Sequence, residues 1–373
     1  MTTAAPAPWA CLPEHSRGRV YDEPAHGYRN PFQRDRDRIV HSAAFRRLEF
    51  KTQVFAYFES DYVRNRLTHT LEVSQIARSI CRTLGLHEDL AEAIALSHDL
   101  GHPPFGHAGE RALSACCAAA GGYNHNIQGL RIVDWLEERY GDFPGLNLSY
   151  EVREAFGKHG SGREAMPAEF ATTGPQPALE AQIVDLCDEL AYTTHDIDDG
   201  IAHQHLRIRD FAGQELWETP WQEVRARWPE APLAVLRHET VRRMVNRLVT
   251  DLVETTRVRV ADSGVRSVDE VRAYAEPLAA FSPEVGGRLR EMKTFLYDHL
   301  YTNHQVIQKN HKARRVVTDL YDGFAEEPRQ LPPKFQARSE RWGMARVVAD
   351  YVGGMTDKFA LETHGRLYGA GAM

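Results

Sequence analysis

The sequence predicts an all-α fold, and three observations carry that expectation. Apolar residues recur at spacings of three and four along most of the chain, alternating strand-like segments are scarce and short, and helix stop signals follow several of the periodic runs. With 373 residues, 42% hydrophobic and 26% charged, the chain can form one large or two modest domains around a well-buried core. No run approaches the ~18 consecutive apolar residues of a membrane span, so no membrane partner is expected. The opening MTTAAPAPWACLPEHSRGR has neither an early basic region nor an apolar run. It reads as part of a loose tail over residues 1–30, not a secretory signal, on a protein that stays in the cytoplasm. Cys11, Cys81, Cys116, Cys117 and Cys187 are odd in number and lack CxxC spacing, which argues against a disulfide framework or a zinc ribbon.

The first periodic run holds Leu67, Leu71, Val73, Ile76, Ile80 and Leu84 and stops at Gly85, which predicts an amphipathic helix over 67–84. His69 lies on its apolar face with Val73, Ile76 and Ile80 and points inward. A lone inward histidine is more often a hydrogen-bonded core residue than a ligand. The next helix, 88–100, buries Leu90, Ile94 and Ser97 and finishes on His98 and Asp99 before Gly101, so two candidate ligands share its last turn. Because Gly101 ends that helix, His102 should leave the ligand face. Further helical patterns cover 108–119, 126–140, 178–196, 237–258, 283–301, 314–324 and 340–361, with Pro/Gly-rich breaks at 141–145, 160–177 and 326–333. The second break is long enough to form a loop over a site.

In the 178–196 helix, Val184, Asp188, Tyr192 and Asp196 are four apart and form one stripe. A solvated face is the plain alternative, but Ile183, Cys187, Leu190 and Ala191 flank the stripe and leave it at least half-buried. Two imidazoles with two carboxylates suit a divalent ion of the Mn, Fe, Ni or Mg kind better than a thiolate-bound zinc. Gly157-Lys158-His159 lacks Walker spacing, and His238-Glu239 has no second histidine four residues on. The net charge of −7 disfavours a general nucleic-acid coat. Even so, eight basic residues face five acidic ones between Arg34 and Arg66, which allows either a local anion site or a surface in which RDRDR pairs with itself.

Taken in order, His69, His98-Asp99 and Asp188 spell an H…HD…D pattern. Around it stand PFQRDRDRIVHSAAFRRLEFKTQVF (31–55), RNRLTHTLEVSQIARSI (64–80), AIALSHDLGHPPFGHAGERAL (93–113), YNHNIQGLRIV (123–133), LEAQIVDLCDELAYTTHDIDDG (179–200) and ADYVGGMTDKFA (349–360). Through these strings the chain resembles, over nearly its whole length, the deoxyguanosinetriphosphate triphosphohydrolase-like branch of the HD-domain metal-dependent phosphohydrolases.

That resemblance implies an HD-domain helical core over 31–210, extended by C-terminal helices over 211–373 packed on it. It also implies an enzyme that hydrolyses a deoxynucleoside triphosphate, dGTP or a broader set, at the α-phosphorus to deoxynucleoside and tripolyphosphate. By motif position His69, His98, Asp99 and Asp188 would hold a divalent metal ion, Mn2+ or Mg2+ ahead of Fe, Ni or Co. His102 and Glu110 would be the acid/base pair, the carboxylate bonding the imidazole and raising its pKa. His125 joins the catalytic set and, with His107, reaches the phosphates, while Arg66 and Lys293 would neutralise the triphosphate. Gln53 and Val54 match positions that border the base and sugar. Tyr192 would pack where a ribose 2′-hydroxyl must go, and Asp196 would accept the 3′-hydroxyl.

A homo-oligomer, most simply a hexamer, follows from the same likeness, which leaves open whether a second nucleotide acts as effector. The segments 114–122, 203–211 and 301–311 match only loosely. Two other readings stay open: an HD-type nucleotidase or phosphodiesterase on other nucleotides, and a nucleotide-sensing or single-stranded nucleic-acid binding protein. The arginine in RLTH and the long C-terminal helices weigh against the first; the intact ligand set weighs against the second.

Overall fold

The structure, a computed structural model, describes residues 5–53, 64–158 and 167–369. In chain order its helices begin with α1 (Pro31–Val40), α2 (Ala43–Arg47), α3 (Arg66–Leu84), α4 (Glu88–Ser97), α5 (Gly106–Cys116), α6 (His125–Arg131), α7 (Tyr150–Lys158) and α8 (Ala168–Ala171). They continue with α9 (Leu179–Ala202), α10 (Glu215–Arg227), α11 (Leu233–Ser263), α12 (Val268–Ala273), α13 (Pro283–Leu296), α14 (His304–Glu326), α15 (Pro333–Trp342), α16 (Met344–Gly353) and α17 (Asp357–Tyr368). The expected all-α fold is borne out: among the described residues extended pairing is limited to the isolated bridges Arg19–Ser149 and Thr52–Asn65. No described helix is long and apolar enough to cross a membrane, and all five cysteines are free.

Helix starts follow local chemistry. Asn30 and Gln33 cap each other's backbone at α1 with Pro31 in the first turn, and Asn65 and Thr68 exchange the same reciprocal bonds at α3. Ser282 caps α13, again before a proline, and α11 ends at Gly264, whose φ of 71° is the left-handed stop that glycine allows. The periodic segment 340–361 is not one helix. Gly343, at φ 77°, ends α15, and a fresh cap from Thr356 starts α17 after the loop at Gly354. The pattern over 126–140 is helical only to Leu136, its last turn widened to π spacing. The polar α1 and the Pro220-containing α10 lie where no apolar period was evident.

By compactness the described residues fall into two units, neither continuous in sequence. One draws on Met1–Arg17, Leu71–Ala95 and Ala168–Val306; the other draws on Gly18–Thr70, Leu96–Pro167 and Ile307–Met373. The linear division expected from sequence, 31–210 and 211–373, runs across both. In the first unit α9, α10, α11 and α13 pack together around Val184, Leu190, Trp217, Met244, Leu248 and Met292. In the second, Leu113 of α5, Val317 and Leu320 of α14, Val347, Val348 and Val352 of α16 and Ala360 of α17 share one core. The C-terminal helices are therefore structural partners of the segment that follows the HD pair.

The start of the chain is no loose tail over its described part. Ala7 N–H donates to the Gly85 carbonyl, and Cys11 N–H donates to the buried Glu180 carboxylate at 2.9 Å. The basic run after Arg34 is largely charge-compensated. Arg34 and Arg38 both meet Glu23, and Arg29 and Arg36 meet Asp37. This arrangement favours the salt-bridged reading of RDRDR over an open anion site.

Helices α6 and α7 touch at Gly129, where an added Cβ would lie 2.5 Å from the Phe156 ring. Gly129→Ala should therefore destabilise the protein by about 1–3 kcal/mol, the usual cost of overpacking, read as a lower urea midpoint. An unchanged midpoint would contradict this contact.

Candidate active site

The site is built from two short stretches on either side of a glycine. Arg66 is the first residue of α3 and His69 lies one turn on, so the Asn65–Thr68 cap sets the direction of both side chains. Tight turns follow α4, with Leu100 N–H returning to Ser97 and His102 N–H to Asp99. Position 101 has no side chain, which lets these turns lie against α6: a Cβ there would meet the His125 carbonyl oxygen at 1.9 Å and Gly129 N at 2.3 Å. His98, Asp99 and His102 are thereby buried against the start of α6.

The imidazoles of His69 and His98 lie edge to face with centroids 5.6 Å apart, each offering a ring nitrogen within 4.8 Å of the other's. Beside them Asp99 accepts from Arg66 Nη1 at 2.9 Å, while its other oxygen lies 3.4 Å from His98 Nε2 and 3.0 Å from His102 Nδ1. Burial alone would raise the Asp99 carboxyl, but Arg66, then His98 and His102, outweigh it and hold the group well below the usual carboxylate range. Two buried imidazoles beside an ionised carboxylate make a donor set that fits a divalent cation.

The next histidines form a second cluster. His102 stacks on His125 at 3.9 Å between centroids, and His107 stands edge-on to both. Glu110 on α5 receives both the backbone N–H and Nδ1 of His125 at 2.8 Å, and its other oxygen lies 3.4 Å from His107 Nδ1. Burial, which would raise the Glu110 carboxyl, is outweighed by His107 and His125, and the group is strongly depressed. An ionised carboxylate only accepts, so His125 carries its proton on Nδ1.

This corrects one expectation: Glu110 holds His125, not His102. Nor is the His102 imidazole raised. Burial first, then Arg66 and His125, push it well below the ordinary histidine value, against the pull of Asp99.

Of the remaining candidates, Asp188, Tyr192, Asp196 and Lys293 lie on the unit that contains α9. Asp188 is half-buried, Tyr192 is half-buried one turn on, and Asp196 is buried a turn further. Tyr301, which the sequence reading left in a loosely matching segment, donates its hydroxyl to Asp196 and stacks on Tyr192 at 6.3 Å. Burial and then Asp196 push its phenol far up, so it stays a donor. Lys293, expected to neutralise phosphate, pairs with Glu189 at 2.9 Å and is half exposed. Gln53 is half-buried just after the Thr52–Asn65 bridge, and Val54 lies outside the described residues.

The depressed Glu110 carboxyl has a pH signature. A carboxylate stabilised in the fold contributes above its unfolded value, near 4.5, and loses that contribution as the pH falls through its lower folded value. Glu110→Gln should cost about 1.5–3 kcal/mol at pH 7, as for a hydrogen bond to a charged group, with the gap to wild type narrowing below pH 4.5. A gap that is absent at pH 7, or that widens in acid, would refute the pairing.

Comparison with known proteins identifies the family. A model described as the HD domain matches residues 66–193, and one described as a phosphohydrolase-associated domain matches residues 279–366. The chain is 50% identical over 361 residues to a deoxyguanosinetriphosphate triphosphohydrolase-like protein of Azoarcus sp. (strain BH72), spanning 95% of this chain and 94% of that one. Proteins of the same description from Thiobacillus denitrificans and Geobacter sulfurreducens are 49% and 44% identical, over 97% and 95% of this chain and 97% and 92% of theirs. The chain thus belongs to the deoxyguanosinetriphosphate triphosphohydrolase-like family of HD-domain phosphohydrolases.

Proposed function

We propose that the protein hydrolyses deoxynucleoside triphosphates at the α-phosphorus, releasing deoxynucleoside and tripolyphosphate. The observation that carries this reading is the row of buried His98 and His102 and half-buried His125, bracketed by the Arg66 guanidinium and the Glu110 carboxylate. A polyphosphate brings several negative charges, and Arg66 is suited to meet them. Its guanidinium is buried, with Nε lacking an acceptor among the described residues. His107, exposed beside the row, supplies a further phosphate contact.

His69, His98 and Asp99, with Asp188 as the fourth ligand by motif position, would hold the divalent ion, Mn2+ or Mg2+ first. When bound, such an ion polarises the α-phosphate and lowers the pKa of an attacking water. Protonation of the departing 5′-oxygen falls to the stacked His102 and His125. With Nδ1 committed to Glu110, His125 has only Nε2 left to exchange a proton with substrate. Tyr192 and Asp196 take the sugar side, Tyr301 fixing the carboxylate from behind, and Gln53 and Val54 border the base. Lys293 reaches phosphate only by leaving Glu189.

Incubation of the full-length chain with each dNTP and NTP under Mn2+ or Mg2+, followed by chromatography, tests the reading. Deoxynucleoside and tripolyphosphate are expected from dNTPs, with NTPs spared. Monophosphate with pyrophosphate, or diphosphate with orthophosphate, would overturn it.

A further inference from the structure

The string ADYVGGMTDKFA has no part in the chemistry described so far, yet its Asp357 touches both chain segments that frame the histidine cluster. This buried residue opens α17 and takes Phe105 N–H on Oδ1 at 2.9 Å. On Oδ2 it takes Thr52 N–H at 3.0 Å and the Thr52 hydroxyl. Its place on the first helical turn, beside the Thr356 cap, suits a negative charge.

Phe105 is the residue that most needs holding. It sits at φ 63°, in the left-handed region that side chains with a Cβ avoid, immediately before Gly106 opens α5. A backbone of this kind persists only where its surroundings over-determine it. The turn it belongs to carries His102 on one side and His107 on the other.

Lys51, next to Thr52 and buried, reinforces the hold by donating Nζ to the carbonyls of His102 and Gly353. Burial first, then Arg47 and Arg66, push its ammonium down to about 7, and charged or neutral the amine still donates. Gly353 ends α16, whose Val347, Val348 and Val352 lie in the core shared with α5 and α14. The clamp is thus fixed to the rigid part of its own unit.

We propose that Asp357, assisted by Lys51, is a positioning residue that holds the turn 102–107 in the conformation presenting His102 and His107, so that the C-terminal helices set the geometry of the catalytic histidines. In its activity readout the proposal rests on the hydrolase reading above.

The test is Asp357→Asn in the full-length chain. It keeps the size but sets an amide NH2 against a backbone donor. A small displacement of catalytic groups should lower kcat on the order of 10–100-fold, with KM within about twofold and metal content at the wild-type level. Hydrogen exchange at residues 105–107 should accelerate in the same protein. A kcat within about twofold of wild type, or a kcat loss matched by metal loss, would overturn the proposal. Should Asp357→Asn not fold, Thr52→Val removes only the hydroxyl and should produce the same pattern more weakly. If the wild type turns over no dNTP, the hydrolase reading fails instead, and exchange decides alone: faster exchange at 105–107 upholds the clamp, and unchanged exchange refutes it.

Discussion

A buried carboxylate facing a buried guanidinium is the constraint on which the histidine site depends. Taking Asp99 and Arg66 out of water costs several kcal/mol per ion, which only close geometry and further hydrogen bonds recover. The fold supplies both. The Asn65–Thr68 cap fixes the first turn of α3, and the turns after Ser97 deliver Asp99 to 2.9 Å from Arg66 Nη1. Gly106 leaves the guanidinium room, since a Cβ there would stand 3.1 Å from Nη2. With Asp99 held ionised, His98 and His102 gain an electrostatic partner.

From that pair the organisation spreads outward through short contacts. Asp99 leads to His102, His102 stacks on His125, and His125 hands both its N–H groups to Glu110. Each link fixes one ring by its neighbour, so the cluster is preorganised without a long loop to order. The left-handed turn at Phe105 joins the HD pair to α5, and the C-terminal helices stabilise it through Asp357 and Lys51. Residues far along the chain thereby hold the turn between His102 and His107.

What was legible in the sequence was local. The α3 stripe, its stop at Gly85, the inward His69 and the adjacent His98-Asp99 can all be read from spacing, because neighbours on one helix decide them. The partner of Glu110 could not be read. His102 precedes it by eight residues and His125 follows it by 15, and only the reversal at Phe105 decides between them. Tyr301 and Asp196 are 105 residues apart, and nothing in either neighbourhood announces their bond. The segment 340–361 looked continuous because a glycine inside a helix costs only about 1 kcal/mol. Packing and the Thr356 cap break it into separate helices. Asp357 stood only inside a matching string, since three bonds from distant segments leave no periodic trace.

The proposed cation site depends on Asp99 as a carboxylate ligand beside His69 and His98. Elemental analysis of purified wild type and Asp99→Ala after loading with Mn2+ and removal of excess metal tests this directly. The wild type should retain about one ion per chain and Asp99→Ala a small fraction of that, because a site short of one ligand loses affinity about 10–100-fold or more. Equal metal in the two proteins would contradict the account and leave Asp99 only as a partner for Arg66, His98 and His102.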